Sequence, residues 1–232
     1  MDLYTLDPSR VRDISDLLVD PQGALRVVPA AVFEATTPEE RLAFGVRRGL
    51  YSFPTRELCE FLRQRVHGRS AIEIGAGSGI LAQALGIPAT DNRQQESEAI
   101  QAHYAALGQP TVPYGAHVEK LDAVAAVRKY RPQVVIACWV THRFDPHRPQ
   151  AEGSSSGVDE ALIIASCEEY IFIGNEHVHA HKPIWALPHE KLTPPWLYSR
   201  AVNGSPDFMA IWRRSAAAPG DHHDLESPVP GG

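Results

Sequence analysis

Residues 71 to 81 read Ala-Ile-Glu-Ile-Gly-Ala-Gly-Ser-Gly-Ile-Leu. An apolar run ends at Ile74, glycines follow at alternate positions (Gly75, Gly77, Gly79), and a helix-compatible segment begins at Ile80. Glycines let the main chain bend tightly and let a ligand lie against it. The helix start then presents free N–H groups. The dinucleotide spacing G-x-G-x-x-G is not met, because the third glycine comes one residue early and Ile80 stands where that pattern needs glycine. Glu73 suits a cationic ligand group better than a pyrophosphate. Both features weigh against a nicotinamide-dependent oxidoreductase. A second polar cluster, Glu176-His177-Val178-His179-Ala180-His181, sets three histidines at alternate positions. In an extended segment they would share one face and could hold a transition metal. No cysteine or second H-x-H accompanies them, so no metal is expected. The segment reads instead as part of a substrate pocket, with His177 facing the substrate and imidazole available for proton transfer near neutral pH.

The elements that must position these residues alternate. Apolar runs at 70–74, 87–90, 115–121, 134–139 and 170–174 read as strands. Residues 80–85, 96–107, 123–130 and 158–166 read as helices. That alternation predicts a parallel sheet covered on both faces. Residues 196–202 and 208–213 read as an antiparallel pair joined at Asn203-Gly204-Ser205-Pro206. The first 50 residues predict an N-terminal helical extension. One helix starts near Asp7-Pro8-Ser9, and another starts at Thr37-Pro38-Glu39-Glu40 with a capping threonine, an early proline and acids in the first turn. The extension reads as a cap, with Tyr51, Phe53 and Pro54 along its inner edge. Residues 51–214 form the α/β domain. Residues 215–232, rich in Pro, Gly, Ala and acid, read as a disordered tail. His142 and Glu176 fall at the carboxyl ends of predicted strands, where open parallel sheets hold their ligands. Both are candidate general bases. The serine- and glycine-rich segment 151–157 reads as a substrate lid or a plain connector.

The pattern Glu73-x-Gly75-x-Gly77-x-Gly79 resembles motif I of class I S-adenosylmethionine (SAM)-dependent methyltransferases. The resemblance covers roughly residues 50 to 213 and implies a Rossmann-like seven-stranded, mostly parallel sheet with helices on both faces. It implies SAM as cofactor, with Glu73 near the methionine moiety and the turn of Gly75, Ala76, Gly77 and Gly79 beside the cofactor. Asp91, followed by Asn92, fits the family's second acid, whose two carboxylate oxygens can take both ribose hydroxyls. Asp122-Ala123 resembles the pair that meets the adenine. Residues 134–139 resemble the strand whose end reaches the transfer site, where Trp139 either walls the pocket or is an ordinary core aromatic. Residues 51–55, Cys138-Trp139 and Gly174-Asn175-Glu176 resemble a methyltransferase-like branch that implies a fold more than a substrate. The Asn/Asp-Pro-Pro-aromatic segment of many amino-group methyltransferases is absent, since that position reads Cys138-Trp139-Val140-Thr141-His142.

Composition bounds the partners. The chain has 232 residues and a formal net charge of −6, against the basic excess usual in nucleic-acid binders. No apolar run reaches the ~18 residues of a membrane span. Met1-Asp2-Leu3-Tyr4 shows no basic region followed by an apolar stretch, so no secretory signal is expected. Cys59, Cys138 and Cys167 have no close pair, which suits a reducing cytoplasm rather than a disulfide framework or a zinc site. The expected function is methyl transfer from SAM to a small-molecule or other polar acceptor. The alternative is a catalytically inactive protein that binds SAM or a nucleoside. Oligomeric state is open.

Overall fold

The computed structural model describes residues 10–214. In chain order the helices are α1 (Ser15–Leu18), α2 (Ala30–Glu34), α3 (Pro38–Arg48), α4 (Arg56–Val66), α5 (Ile80–Leu85), α6 (Glu98–Ala106), α7 (Ala123–Tyr130) and α8 (Glu160–Ser166). The strands are β1 (Ser52–Phe53), β2 (Ala71–Ile74), β3 (Ala89–Asp91), β4 (Val118–Lys120), β5 (Val134–Cys138), β6 (Glu169–Asn175), β7 (Glu190–Leu192), β8 (Tyr198–Ser199) and β9 (Asp207–Arg213).

Seven strands form one sheet in the order β4-β3-β2-β5-β6-β9-β7. β2 through β6 run parallel, β9 is antiparallel to β6, and β7 is antiparallel to β9. The fold is therefore α/β and Rossmann-like. Side chains divide between its faces with the strand period of two. On β5, Val135 and Ala137 join one core and Val134 and Ile136 the other; on β6, Tyr170 and Phe172 oppose Ile171 and Ile173. Ala126 and Val127 of α7 and Ile163 of α8 close the first face. Leu58 and Leu62 of α4 and Leu81 of α5 close the second. Continuous apolar strands of this kind must be covered on both sides.

The N-terminal segments build a smaller core of their own from Ile14, Leu18, Val28, Phe33, Phe44, Leu50 and Phe53. α3 starts at a complete capping box, with Thr37 and Glu40 satisfying each other's amides, and ends at Gly49 in the left-handed region. α4 starts at Thr55, whose hydroxyl oxygen accepts from the Leu58 amide. The helix expected from Asp7 begins among residues outside those described; its described part is only α1. The expected tail, 215–232, also lies outside the described residues.

The expected hairpin of residues 196–202 with 208–213 is corrected. β9 pairs instead with β7, which sequence reading passed over. β8 pairs with β1, setting Ser52 opposite Ser199 and Phe53 opposite Tyr198. Two interactions draw the chain away from a tight turn. The Tyr198 ring stacks 5.0 Å from Phe33 in the N-terminal core. The buried side chain of Asn175 gathers the turn residues, donating to Ser205 O at 2.9 Å and accepting from Asn203 Nδ2 at 2.9 Å.

A buried ion pair sits under β6. Lys182 Nζ meets Glu160 Oε2 at 2.5 Å with both side chains 1% exposed, and Tyr170 Oη donates to Glu160 Oε1 at 2.7 Å. Removing one partner strands the other, which typically costs ~3–5 kcal/mol, whereas an apolar pair of similar volume is often neutral. Lys182→Met and Glu160→Leu should each lower denaturant-measured stability by about that amount, and the double variant should lose less than either single one. Additive losses would show that the pair is not coupled.

Candidate functional site

The chain leaves β2 for β3 and β4 on one side, then returns to place β5 and β6 on the other. That reversal opens a crevice beyond the carboxyl ends of the strands. A cavity of about 260 Å³ lies there, just under the ~300–1,000 Å³ of ordinary small-molecule sites.

The glycine turn forms its floor. Gly75, Ala76 and Gly77 line the cavity with main chain. Gly75 has φ +58, and a Cβ there would run into the Val140 side chain, so only glycine fits. Gly79 does not line the cavity. It caps α5 at φ +74, and a Cβ there would strike His117 and Val118. In the fold, the glycine at this position serves packing against those two residues.

Three acids border the cavity. Asp91 ends β3, where Oδ2 accepts from the Gly77 amide at 2.9 Å and Oδ1 from the Arg93 amide at 2.7 Å. A carboxylate offers about four lone-pair sites, so one remains on each oxygen. Burial pushes the Asp91 carboxyl upward, opposed by those two amides. Glu73 is 2% exposed and accepts from the Ala82 amide at 2.8 Å. Burial, opposed by that amide, pushes its carboxyl up to about 8. Asp122 caps α7 by accepting from the Val124 amide at 2.9 Å, and Ala123 follows it at the cavity edge.

The far wall comes from the end of β5 and from residues 49–54. Trp139 and Tyr51 both line the cavity, their rings 6.0 Å apart. Trp139 adopts φ +59, an outlier for a bulky residue, and its buried indole N–H has no hydrogen-bond partner. Cys138 Sγ sits 3.0 Å from Ser52 Oγ, and burial holds the thiol neutral, up to about 12. Two contacts cross the opening. Tyr51 Oη meets Tyr104 Oη at 2.8 Å, and Asn92 Nδ2 donates to Ser156 O at 2.9 Å. Ser156, Gly157 and Val158 thus line the cavity from the serine- and glycine-rich loop.

Against expectation, His142, Glu176 and His177 are not among the residues that line this cavity. The loop after β5 folds back on itself through Arg143 N to Val158 O and Ser154 N to His142 O, and the His142 ring turns to Ala151 O at 2.9 Å. β6 lies one strand beyond the reversal. Glu176 at its end accepts from Lys191 Nζ at 2.6 Å on the surface. Residues 176–181 form turns rather than an extended run, so His177 and His181 are exposed while His179 is buried. Burial drives His179 down to about 3, which keeps it neutral between Trp139 and Phe172. Among the described residues, no three His, Cys, Asp or Glu side chains gather as a metal-binding group.

Sequence reading missed Tyr104, Tyr114, Val112 and Gln95, which line the side reached through α6.

No family model matches the chain, and no curated protein matches it. Among solved structures it is similar to the methyltransferase domain of bacterial CtHen1-CN, at 14% identity over 67% of this chain and 95% of that one, with a TM-score of 0.37. It is similar to a SAM-dependent methyltransferase from Agrobacterium tumefaciens at 10% identity and a TM-score of 0.33, covering 67% of this chain and 60% of that one. It is also similar to Thermoplasma acidophilum 1320, at 17% identity over 70% of this chain and 91% of that one, with a TM-score of 0.34. Among the described residues no helix is long and apolar enough to cross a membrane.

The state of Glu73 has a measurable consequence. Its carboxyl is raised from about 4.5 in an open chain to about 8 in the fold. A raised carboxyl stabilises the fold fully below the unfolded value, and that contribution is lost as pH rises through the folded one. Stability should therefore fall between pH 4.5 and 8, with a limiting slope of roughly 1.4 kcal/mol per unit. Glu73→Gln, which keeps the acceptor for Ala82, should flatten that slope in denaturant titrations across the window.

Proposed function

We propose that this protein is a SAM-dependent methyltransferase acting on a small acceptor. The observation that carries the reading is the set of groups around one cavity: a main-chain glycine floor, Glu73, Asp91 and Asp122. The residues fit an adenosyl cofactor. Gly75 leaves open a cradle that any Cβ would force against Val140. Asp91 keeps one lone pair per oxygen for a vicinal diol. Glu73 supplies an acidic group for the ammonium of a methionine moiety, and Asp122-Ala123 border the adenine. Asn92 holds the loop of Ser156 across the opening.

When bound, SAM supplies a methyl carbon already activated by its sulfonium, so the protein's share is alignment and exclusion of water. Trp139 and Tyr51, at the end of β5 and the edge of the N-terminal segment, wall the acceptor side. Glu73 exchanges a proton when a cation arrives. Its carboxyl stands at about 8 alone, and an ammonium alongside favours the charged form, so binding near pH 7 releases up to one proton.

The testing experiment is calorimetric titration with SAM, S-adenosylhomocysteine and NAD. Both adenosyl ligands should bind and NAD should not. Repeating the titration in buffers of different ionisation enthalpy should reveal the released proton. Asp91→Ala should weaken S-adenosylhomocysteine ~10- to 100-fold, as expected for losing charged hydrogen bonds. An affinity within twofold of wild type would remove Asp91 from the site. Tight adenosyl binding without transfer to any acceptor would favour the inactive binding protein.

A further inference from the structure

The acceptor half of the cavity differs chemically from the cofactor half, and the difference selects an acceptor class. The inference rests on the methyltransferase reading. The three carboxylates stand at the glycine turn and the ends of β3 and β4. The opposite wall is aromatic. Trp139 lies 6.0 Å from Tyr51, and Tyr51 is hydrogen-bonded to Tyr104 and carries the Arg200 guanidinium 3.8 Å from its ring.

Two further facts narrow the choice. No lysine, arginine or histidine is among the described residues lining the cavity. An anionic acceptor, such as a carboxylate or phosphate, would find no cationic partner among the described lining residues, which is electrostatically unfavourable. Among the described residues, no lining group on the acceptor side is suited to take a proton near neutral pH either. Burial holds the Cys138 thiol up to about 12 and the Tyr104 phenol up to about 12, and it raises the Tyr114 phenol as well. Glu73 is tied to the Ala82 amide and faces the cofactor half. A phenol or alcohol acceptor, which must lose a proton, finds no partner to accept it.

We infer that the acceptor is a small uncharged heteroaromatic base, methylated on a ring nitrogen. The nitrogen lone pair forms the new N–C bond to the methyl carbon. The S–C bond breaks, and its electron pair stays on sulfur as a neutral thioether. The positive charge passes from sulfur to the ring, and no proton has to leave. The net charge opposite the three carboxylates is unchanged through the step. The Trp139 ring offers stacking to the flat acceptor and cation–π attraction to the charged product, while a face of Tyr51 is taken by Arg200.

The test uses the full chain and the probes pyridine, quinoline and isoquinoline, with saturating S-adenosylhomocysteine in the binding samples only and SAM in its place in the transfer samples. Naphthalene, phenol and benzoate serve as controls. Binding is read by tryptophan fluorescence and calorimetry, and transfer by methyl label from SAM. At least one azine should bind more tightly than naphthalene and become N-methylated. Its rate should rise with pH only through the azine's own pKa and then stay flat. Trp139→Leu should weaken azine binding ~10-fold, while Trp139→Phe, which keeps the ring, should hold it within about threefold. Methylation of phenol or benzoate, or azines that bind no better than naphthalene and accept no methyl, would overturn the inference. If SAM binds in the same samples, that failure leaves the methyltransferase reading standing. If SAM does not bind, both fall.

Discussion

The hydrogen bond from the Gly77 amide to Asp91 Oδ2, 2.9 Å long, ties the glycine turn to the end of the neighbouring strand. The site depends on that tie. It fixes where the turn's main chain lies, and it aims the carboxylate at the crevice rather than at solvent. The second oxygen is held by the Arg93 amide, so the side chain has little freedom left. The constraint beneath it is topological. Because β2 sits between β3 and β5, the turn after β2 and the ends of both neighbours must converge on one crevice.

Much of this was legible in the sequence because it rests on local signals. The apolar run before Gly75 marks β2, the alternate glycines mark a turn, and the capping threonine Thr37 marks a helix start. Val134 to Cys138 was the plainest strand, since a strand buried on both faces needs no polar alternation. The elements that were misread are those whose partners lie far off in sequence. Tyr198–Ser199 answers to Ser52–Phe53 and to Phe33, more than a hundred residues away. No local pattern distinguishes that pairing from a hairpin with Asp207–Arg213.

The same division holds at the site. Glu73, Asp91, Asp122 and the floor glycines sit at strand ends or helix caps, where local sequence dictates direction. His142 and Glu176 also sit at strand ends, yet their direction is set by loop hydrogen bonds and a surface lysine that the sequence does not announce. Tyr104 and Tyr114 reach the cavity from a helix with no core face and from the loop after it. The polar interior under β6 is equally non-local, with Glu160, Tyr170 and Lys182 meeting from α8, β6 and the turn that follows. That buried charge stands behind Phe172, which packs on His179 and through it on Trp139, so this wall of the cavity rests on a buried ion pair rather than on loosely packed loops.

The most direct measurement is a crystal structure with S-adenosylhomocysteine. The account places both ribose hydroxyls on Asp91, the amino group toward Glu73, the adenine beside Asp122-Ala123, and the sulfur facing Cys138 and Trp139. A ligand found elsewhere on the molecule, or lying in the crevice with its ribose away from Asp91, would contradict it.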